Sequence, residues 1–291
     1  MVASAARLTG SADLPSQRLR MVRIAREAME LPGLRVLANP LYRRYFQRPY
    51  RHGNLYYGVF ASYREAQDAA EAMASDAIPS SYDVEQAPMM YLGQLQQLRA
   101  CDYPALHWVD HVLRDGGRKV LDLGGHIGVA YYGFKRYLPF PQDLDWCVHD
   151  LGHVREAGAR LAERRGEARN LRFTDQAEDA DGADLLISTG ALQYLPYSLP
   201  DLLSMLARRP RHVIFNLTPL HLQLSFFTLQ NLGIAICPYR IGSLPRLVGE
   251  MAELGYQLRD QWELADRHVH IPFHEECNVQ AYQGAYFELP G

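Results

Sequence analysis

Strand and helix patterns alternate along the chain from residue 119 onward. Short apolar runs that end in glycine or an acid, such as KVLDLGG at 119–125 and DWCVHDL at 145–151, are typical of buried parallel strands. An amphipathic stretch at 153–166 predicts a helix that Gly166 ends. This alternation predicts a parallel sheet with helices on both faces. Further strands are predicted at 171–175, 183–190 and 212–218, with a helix at 199–207.

The C-terminal part of the chain breaks this alternation. After a predicted helix at 244–254, two strand patterns follow at 256–264 and 279–289 with no helix between them. Because parallel neighbours need a long crossover, strands joined in this way are expected to pair antiparallel. The sequence therefore predicts an α/β fold whose sheet is mostly parallel and ends in an antiparallel strand.

The first hundred residues carry helical patterns instead. Ser62 followed by Glu65 is a capping-box pattern that predicts a helix start. We therefore divide the chain into an N-terminal helical region, 1–100, and an α/β domain, 101–291. The helices predicted here and at the junction cover 16–31, 62–74, 88–100 and about 104–114.

Composition is that of a globular chain, with 48% hydrophobic and 22% charged residues among 291. Four scattered cysteines without a Cys-x-x-Cys pair predict neither disulfides nor zinc and fit a reducing cytoplasm. The opening residues lack the apolar core of a signal peptide. Residues 212–239 carry no Lys, Arg, Asp or Glu, but polar residues interrupt the run, so we predict a buried segment and no transmembrane span.

Charge is distributed unevenly along the chain. Residues 1–60 hold ten Arg and three acidic residues, whereas the formal net charge of the whole chain is −3. The overall balance gives no reason to expect a nucleic acid partner. Three interpretations stay open for the Arg-rich segment 18–51: it faces an anionic acceptor, it contacts a partner subunit in a homodimer, or it is a solvated helix face.

The segment VLDLGGHIG, at 120–128, is the first candidate for chemistry. Glycines at the end of a strand let the backbone approach a ligand, and the next helix offers unpaired N–H groups. Asp122, directly before the glycines, suits an ammonium group such as the amino acid end of S-adenosylmethionine, and it would repel a pyrophosphate. The alternative is a glycine-rich turn without a ligand.

The second candidate is Asp150, at the end of the next predicted strand. An acid there can accept hydrogen bonds from both ribose hydroxyls of a nucleoside. Its alternative role is that of a helix cap. Asp122 and Asp150 are separated by a distance in sequence that fits one strand–helix–strand step, so together they predict a nucleoside site.

These segments resemble known enzymes. VLDLGGHIG resembles motif I of class I S-adenosylmethionine-dependent methyltransferases, and VHDLGHV resembles the Asp-Leu-Pro-His-Val segment of small-molecule O-methyltransferases, with Gly152 in place of proline. Residues 60–287 also resemble a bacterial methyltransferase family linked to surface-polysaccharide gene neighbourhoods, through pieces such as ADLLISTGALQYL and TLQNLGIAICPYRI. One departure is His126, where many methyltransferases carry glycine.

The resemblance implies a Rossmann-like methyltransferase sheet and S-adenosylmethionine as the cofactor. The glycine-rich segment would hold the methionine half, Asp150 the ribose, and residues after the next strands the adenine and the reacting centre. The implied cofactor residues are Asp122, Gly124, Gly125, Gly128, Asp150, Leu151 beside adenine, Asp175 at the adenine amino group, and Ser188.

The acceptor would lie beyond the fourth and fifth strands of this sheet. Uncharged polar side chains in an apolar wall suit the orientation of a small organic acceptor, although capping and turn roles explain them equally well. The candidate substrate residues are Gln193, Asn216, Thr218, Tyr239 and Arg240.

Two residues are candidates for catalysis. His274 has a side chain whose ordinary pKa lies near neutral pH, which suits a general base. Tyr194 would orient the acceptor or place its ring against the sulfonium. His268 and His270 form a His-x-His pair, as metal ligands on a strand do, but we expect surface histidines and no metal.

Three functions follow from this sequence. The first is methyl transfer from S-adenosylmethionine to a small molecule or glycan precursor, at oxygen. The second is a catalytically silent, nucleoside-binding module that acts as a scaffold. The third, an NAD(P)-dependent enzyme, is disfavoured by Asp122 and by the missing GxGxxG.

Overall fold

A computed structural model of the chain describes residues 32–49 and 54–290, so the helix predicted at 16–31 lies outside the described residues. The chain divides into two compact units, Met1–Phe46 and Gln47–Gly291. In the first unit, helix α1 (Pro32–Phe46) contains Pro40 and exposes Leu37 and Leu41. The division that we draw at residue 100 stays a prediction.

The second unit is built on a Rossmann-like sheet. Its strands are β2 (Lys119–Leu123), β3 (Asp145–His149), β4 (Leu171–Thr174), β5 (Leu185–Thr189), β6 (His212–His221), β9 (Gln257–Leu264) and β10 (Tyr282–Glu288). They lie in the order β4-β3-β2-β5-β6-β10-β9. The first five are parallel, and β10 runs antiparallel to both neighbours. The predicted fold class is confirmed.

Helices cover both faces of this sheet, because successive side chains of a buried strand point to opposite sides. Val120 packs into one apolar cluster, whereas Leu121 and Leu123 pack into the other. The first cluster includes residues of α3 (Tyr103–Arg114), α4 (Val129–Lys135) and α5 (Gly152–Arg165). The second includes residues of α6 (Leu199–Met205) and α7 (Leu244–Glu253).

The predicted helix at 88–100 is wrong. Short 3₁₀ turns stand there, at Ala87–Met89, Leu92–Gln96 and Ala100–Asp102. Pro88 and Gly93 both lower the helix propensity of this stretch, which leaves it to be ordered by tertiary contacts. The helix predicted at 62–74 is confirmed as α2 (Tyr63–Met73). Its Ser62 hydroxyl accepts the Glu65 N–H, while the Glu65 carboxylate accepts the N–H of Ala61.

Three strands without a sequence prediction extend the same sheet beyond β6, and they are antiparallel to one another. Strand β1 (Leu55–Phe60) pairs with β7 (Phe226–Asn231), and β7 pairs with β8 (Ile236–Ser243). Leu220 and His221 of β6 pair in parallel with Gly242 and Ser243 of β8, so the three strands join the sheet at the carboxyl end of β6. Residues 212–239, which carry no Lys, Arg, Asp or Glu, therefore form largely buried strands. No helix within 32–49 and 54–290 has the length and apolarity to cross a membrane.

Candidate functional site

A glycine loop joins β2 to α4 at the carboxyl edge of the sheet. Gly124 has a φ of +70°, and a Cβ there would lie 2.1 Å from the Cβ of Ala191. A Cβ on Gly125 would lie 2.3 Å from a carboxylate oxygen of Asp122. Gly128 then begins α4 as its N-cap. Glycine is therefore required at position 124, where the loop passes Ala191 just after β5, and at position 125, where it covers Asp122.

Asp122 lies fully buried beneath this loop. Its Oδ2 accepts a hydrogen bond from Trp146 Nε1 at 3.1 Å, and its Oδ1 has no hydrogen-bond partner among the described residues. Burial, together with the nearby charge of Asp150, raises the pKa of Asp122 to about 7. A buried acceptor without a donor is costly, so this oxygen favours a ligand that brings a donor or a positive charge.

Asp150 lies at the end of β3, opposite the glycine loop. Its Oδ2 accepts the N–H of His126 at 2.9 Å, and its Oδ1 accepts the N–H of Leu151 at 2.8 Å. Burial raises the pKa of Asp150 to about 6, although these two backbone donors act in the opposite direction. Each carboxylate oxygen retains acceptor capacity, so two hydroxyl donors can still be bound. Leu151, which is 45% exposed, begins the next helix beside it.

The remaining predicted cofactor residues lie in different surroundings. Ser188 is fully buried, and its hydroxyl donates to the carbonyl of Leu123, which connects β5 to the end of β2. Asp175 is exposed after β4 and forms an ion pair with Arg155 at 2.6 Å. A hydrogen bond from Gln176 and this cation lower the pKa of Asp175. Its carboxylate is thus engaged with surface partners, and its contact with adenine stays a prediction.

A hydrogen-bonded network of tyrosines connects β1, β7, β8 and β10 with the turn after β5. The Tyr194 hydroxyl donates to Gln230 Oε1 at 2.6 Å, and Gln230 Nε2 donates to the Tyr56 hydroxyl at 3.1 Å. The Tyr282 hydroxyl lies 3.0 Å from that of Tyr56 and 2.7 Å from that of Tyr239. We call these five residues the tyrosine network.

The network is uncharged, because burial raises the pKa of Tyr194, Tyr239 and Tyr282 above the ordinary tyrosine value. Sequence reasoning identified Tyr194 and Tyr239 as site candidates but missed Tyr56 and Tyr282. Those two residues lie 226 positions apart, and no local pattern connects them. Only the pairing of β1 with β7 brings the first of them to this site.

Three predicted substrate residues are held mainly by framework contacts. Asn216 is fully buried, donates to the Cys101 carbonyl at 2.9 Å, and accepts from Trp262 Nε1 at 3.0 Å. Thr218 donates to the Asn216 carbonyl at 3.4 Å. Gln193 donates to the Gly190 carbonyl, while its buried Oε1 has no hydrogen-bond partner in the described part of the chain. Gln193 is thus the one of these three with a free acceptor.

Arg240 and Tyr239 point to opposite faces of β8, since side chains alternate along a strand. The Arg240 guanidinium donates to the Pro196 carbonyl at 2.9 Å and lies 4.6 Å from the ring centre of Phe227. Tyr239 therefore faces the tyrosine network, whereas Arg240 lies on the opposite face of β8.

His274 lies in the loop before β10. Its Nδ1 lies 3.6 Å from a carboxylate oxygen of Glu276, and it precedes the turn Glu275–Cys277. Apolar residues of the same loop, Ile271 and Cys277, share a buried cluster with the tyrosines. The loop thus reaches the tyrosine network, and the role of His274 as a base stays a prediction.

Comparisons with known proteins give similarity in three dimensions alone. No protein-family model matches the chain, and no curated protein matches it. The fold is similar to that of the 1,6-didemethyltoxoflavin N1-methyltransferase of Burkholderia thailandensis, solved with S-adenosylhomocysteine, at 18% identity over 66% of this chain and 79% of that chain, with a TM-score of 0.44.

Two other solved structures show a similar level of resemblance. A glycopeptide N-methyltransferase in complex with S-adenosylhomocysteine is 12% identical over 71% of this chain and 98% of its own, with a TM-score of 0.45. An S-adenosylmethionine-dependent methyltransferase of Clostridium acetobutylicum is 10% identical over 69% of this chain and 96% of its own, also with a TM-score of 0.45. The fold assignment rests on the strand order of this chain itself.

Proposed function

We propose that this chain is an S-adenosylmethionine-dependent methyltransferase that acts on a hydroxyl oxygen of a small molecule or glycan precursor. The observation that carries the proposal is a pair of carboxylates beside a glycine loop, the fully buried Asp122 and the half-buried Asp150. One has an unpaired oxygen, and the other has two oxygens with acceptor capacity left. This donor and acceptor pattern suits an ammonium group at one end and a ribose at the other.

The residues present fit the proposed cofactor. Asp122 and the backbone of the glycine loop would hold the methionine end, Asp150 the ribose hydroxyls, and the exposed Leu151 side chain the adenine face. When bound, the cofactor supplies a methyl group on a good leaving group. The contribution of the chain is then to align the acceptor, exclude water and take up the acceptor proton.

The tyrosine network supports a hydroxylated acceptor. Its phenols stay protonated and can both donate and accept hydrogen bonds, as sugar and other hydroxyl groups do. In this proposal Tyr194 orients the acceptor. His274, which arrives on the loop before β10, takes the hydroxyl proton.

Calorimetry with S-adenosylhomocysteine tests the cofactor part of the proposal. Asp150→Ala should lower the affinity about tenfold or more, because charge-assisted hydrogen bonds to the ribose are lost. The exposed Asp68 offers a matched control, and Asp68→Ala should bind like the parent chain. An unchanged affinity in Asp150→Ala would refute the ribose assignment.

The catalytic part requires an acceptor. A small-molecule and glycan extract is incubated with the protein and methyl-labelled S-adenosylmethionine, and mass spectrometry finds the labelled product. We expect an O-methyl product, formed more slowly by Asp150→Ala when the cofactor is kept well below saturation. Label on nitrogen or carbon would contradict the choice of oxygen.

A catalytically silent nucleoside-binding scaffold is the second candidate. One observation favours it: the polar atoms of Asn216, Gln230 and Tyr239 already have hydrogen-bond partners within the chain. Binding of S-adenosylhomocysteine without any labelled product or cofactor turnover would select this candidate.

A further inference from the structure

Residues 82–91, here called the strap, run across the carboxyl edge of the sheet between two fixed ends. Before the strap, the Pro79 carbonyl accepts the N–H of Ile236 in β8 at 2.8 Å. After it, Asn216 of β6 donates to the Cys101 carbonyl. Between these ends the chain forms single 3₁₀ turns, so the strap is held by tertiary contacts instead of a regular element.

The first contact that holds the strap is made by Asp83. Its Oδ1 accepts the N–H of His153 at 2.9 Å and lies 2.9 Å from the Nδ1 of the same residue. The Gly152 N–H is a further donor to this carboxylate. Partial burial acts to raise the pKa of Asp83, but the hydrogen bonds outweigh it and lower this pKa. A carboxylate from 70 positions away thus satisfies the free N–H groups at the start of α5.

Gly152 leaves the space for this contact. A Cβ at position 152 would lie 3.2 Å from Asp83 Oδ2, which is tighter than an ordinary contact. A proline there would also lack the N–H that Asp83 accepts. The glycine in VHDLGHV therefore has a structural partner in the strap.

The second contact is made by the ring of His126 in the glycine loop. Its Nε2 lies 3.1 Å from the Ala87 carbonyl, and the Tyr91 ring packs edge-on against it at 4.8 Å between centres. Burial lowers the pKa of His126 to about 4, so the ring is neutral and its Nε2 carries the proton donated to Ala87. The strap is thereby fixed to the loop after β2 as well as to the helix after β3.

Asp150 lies between these two contacts. Its Oδ2 accepts the backbone N–H of His126, and it stands three positions before His153, whose N–H donates to Asp83. The tip of the strap is open to solvent, with Met89 66% exposed. The strap is therefore bonded to residues on both sides of the carboxylate that is proposed to hold the ribose.

We propose that the strap is a latched lid: Asp83 must release the start of α5, and Ala87 must release His126, before a nucleoside enters or leaves the site at Asp150. Opening of the strap then sets the rate of cofactor exchange. The identity of the nucleoside rests on the proposed function, whereas the two latches rest on the contacts of this chain alone.

The latches can be tested without any cofactor. Asp83→Ala should speed amide hydrogen exchange within 82–91 about tenfold or more, because the charge-assisted hydrogen bonds that hold the strap are lost. Glu85→Ala removes an exposed carboxylate two positions further on and should leave this exchange unchanged. Equal protection of the strap in both variants would overturn the latch.

A reversible crosslink tests the lid itself. A Cβ at position 152 would lie 3.9 Å from Asp83 Cγ, so the double variant Asp83→Cys/Gly152→Cys brings two thiols near disulfide geometry. Oxidation in the presence of labelled S-adenosylhomocysteine should trap it, and reduction should release it. Exchange at the same rate in the oxidised and reduced protein would overturn the lid.

The two proposals fail in different ways in these experiments. If the parent chain does not bind S-adenosylhomocysteine, the proposed function is refuted, and with it the role of the strap in exchange of that cofactor. Amide exchange in Asp83→Ala then still decides whether the strap is latched. If the parent chain binds and the crosslink has no effect, only the lid is refuted.

Discussion

At the scale of single residues, the site contains a buried carboxylate whose charge destabilises the folded protein. Asp122 has no exposed surface, and its Oδ1 has no donor among the described residues. Its pKa of about 7, against an ordinary 3.8, means that the folded protein binds a proton that the unfolded chain releases. The stability that this group contributes is therefore present at low pH and is lost as the pH rises from about 4 to about 7.

Asp122→Asn should stabilise the protein and weaken the proposed cofactor site. At pH 8 we expect the free energy of unfolding to rise by about 1–4 kcal/mol, because the uncompensated buried charge is gone. The gain should shrink towards pH 4, where the carboxyl of the folded parent chain is protonated and no buried charge remains. Urea unfolding across this pH range measures the effect, and calorimetry with S-adenosylhomocysteine should show weaker binding.

The matched control is Asp68→Asn, at an exposed position of α2, and this variant should change the free energy of unfolding little at either pH. A loss of stability in Asp122→Asn at pH 8 would show that the buried carboxylate is compensated by partners in the parent chain.

At the scale of elements, Asn216 connects three segments. From β6 it donates to the Cys101 carbonyl and to Asp102, just before α3, and it accepts from Trp262 of β9. Because all of its polar atoms are used, its removal leaves several buried groups without partners. The residue that the sequence suggests as an acceptor contact therefore has an observed structural role.

Asn216→Ala should lower the free energy of unfolding by about 2–4 kcal/mol, since each buried partner left unpaired costs about 1–3 kcal/mol. Thr218→Val, two positions along the same strand, removes only one long hydrogen bond and should cost less than about 1 kcal/mol. Chemical denaturation of both variants is the measurement. Equal stability of the two would remove the structural role and favour acceptor binding by Asn216.

Local patterns predicted the elements whose residues repeat with a regular period. The alternation from 119 onward predicted the parallel strands, and Gly166 marked the end of α5, where it adopts a φ of +69°. The hairpin of β7 and β8 was missed because nearly all of its side chains are buried, so no alternation of polar and apolar residues marks the strands. Turns replace the helix predicted at 88–100, and they are ordered by distant contacts such as that of the Ala87 carbonyl with His126, which no local pattern reveals.

The same limit applies to the candidate site. Asp122, the glycines and Asp150 follow one another in sequence at strand ends, so topology alone predicts that they meet. Asp83, Tyr56 and Tyr282 come to the site from distant positions through β1, the strap and β10. No spacing rule in the sequence connects such residues, and only the assembled sheet shows them together.

At the scale of the whole molecule, the residues proposed for cofactor binding all belong to the second unit, Gln47–Gly291. Strand β1, which begins at Leu55, is the first element of that unit to reach the site. The first unit contains most of the Arg-rich segment 18–51. Cofactor binding and acceptor recognition are therefore expected to respond differently to loss of the N-terminal residues.

Removal of residues 1–46 should leave the affinity for S-adenosylhomocysteine within about twofold of that of the full chain, a change of less than about 0.5 kcal/mol. Of the three interpretations of the Arg-rich segment 18–51, contact with an anionic acceptor predicts that turnover of the acceptor is lost. Calorimetry, methyl-label turnover and solution mass are measured on the same preparations, since a change from dimer to monomer would assign the segment to a subunit contact. Full turnover by a truncated protein of unchanged mass would leave the Arg-rich segment as a solvated face and refute its role in acceptor binding.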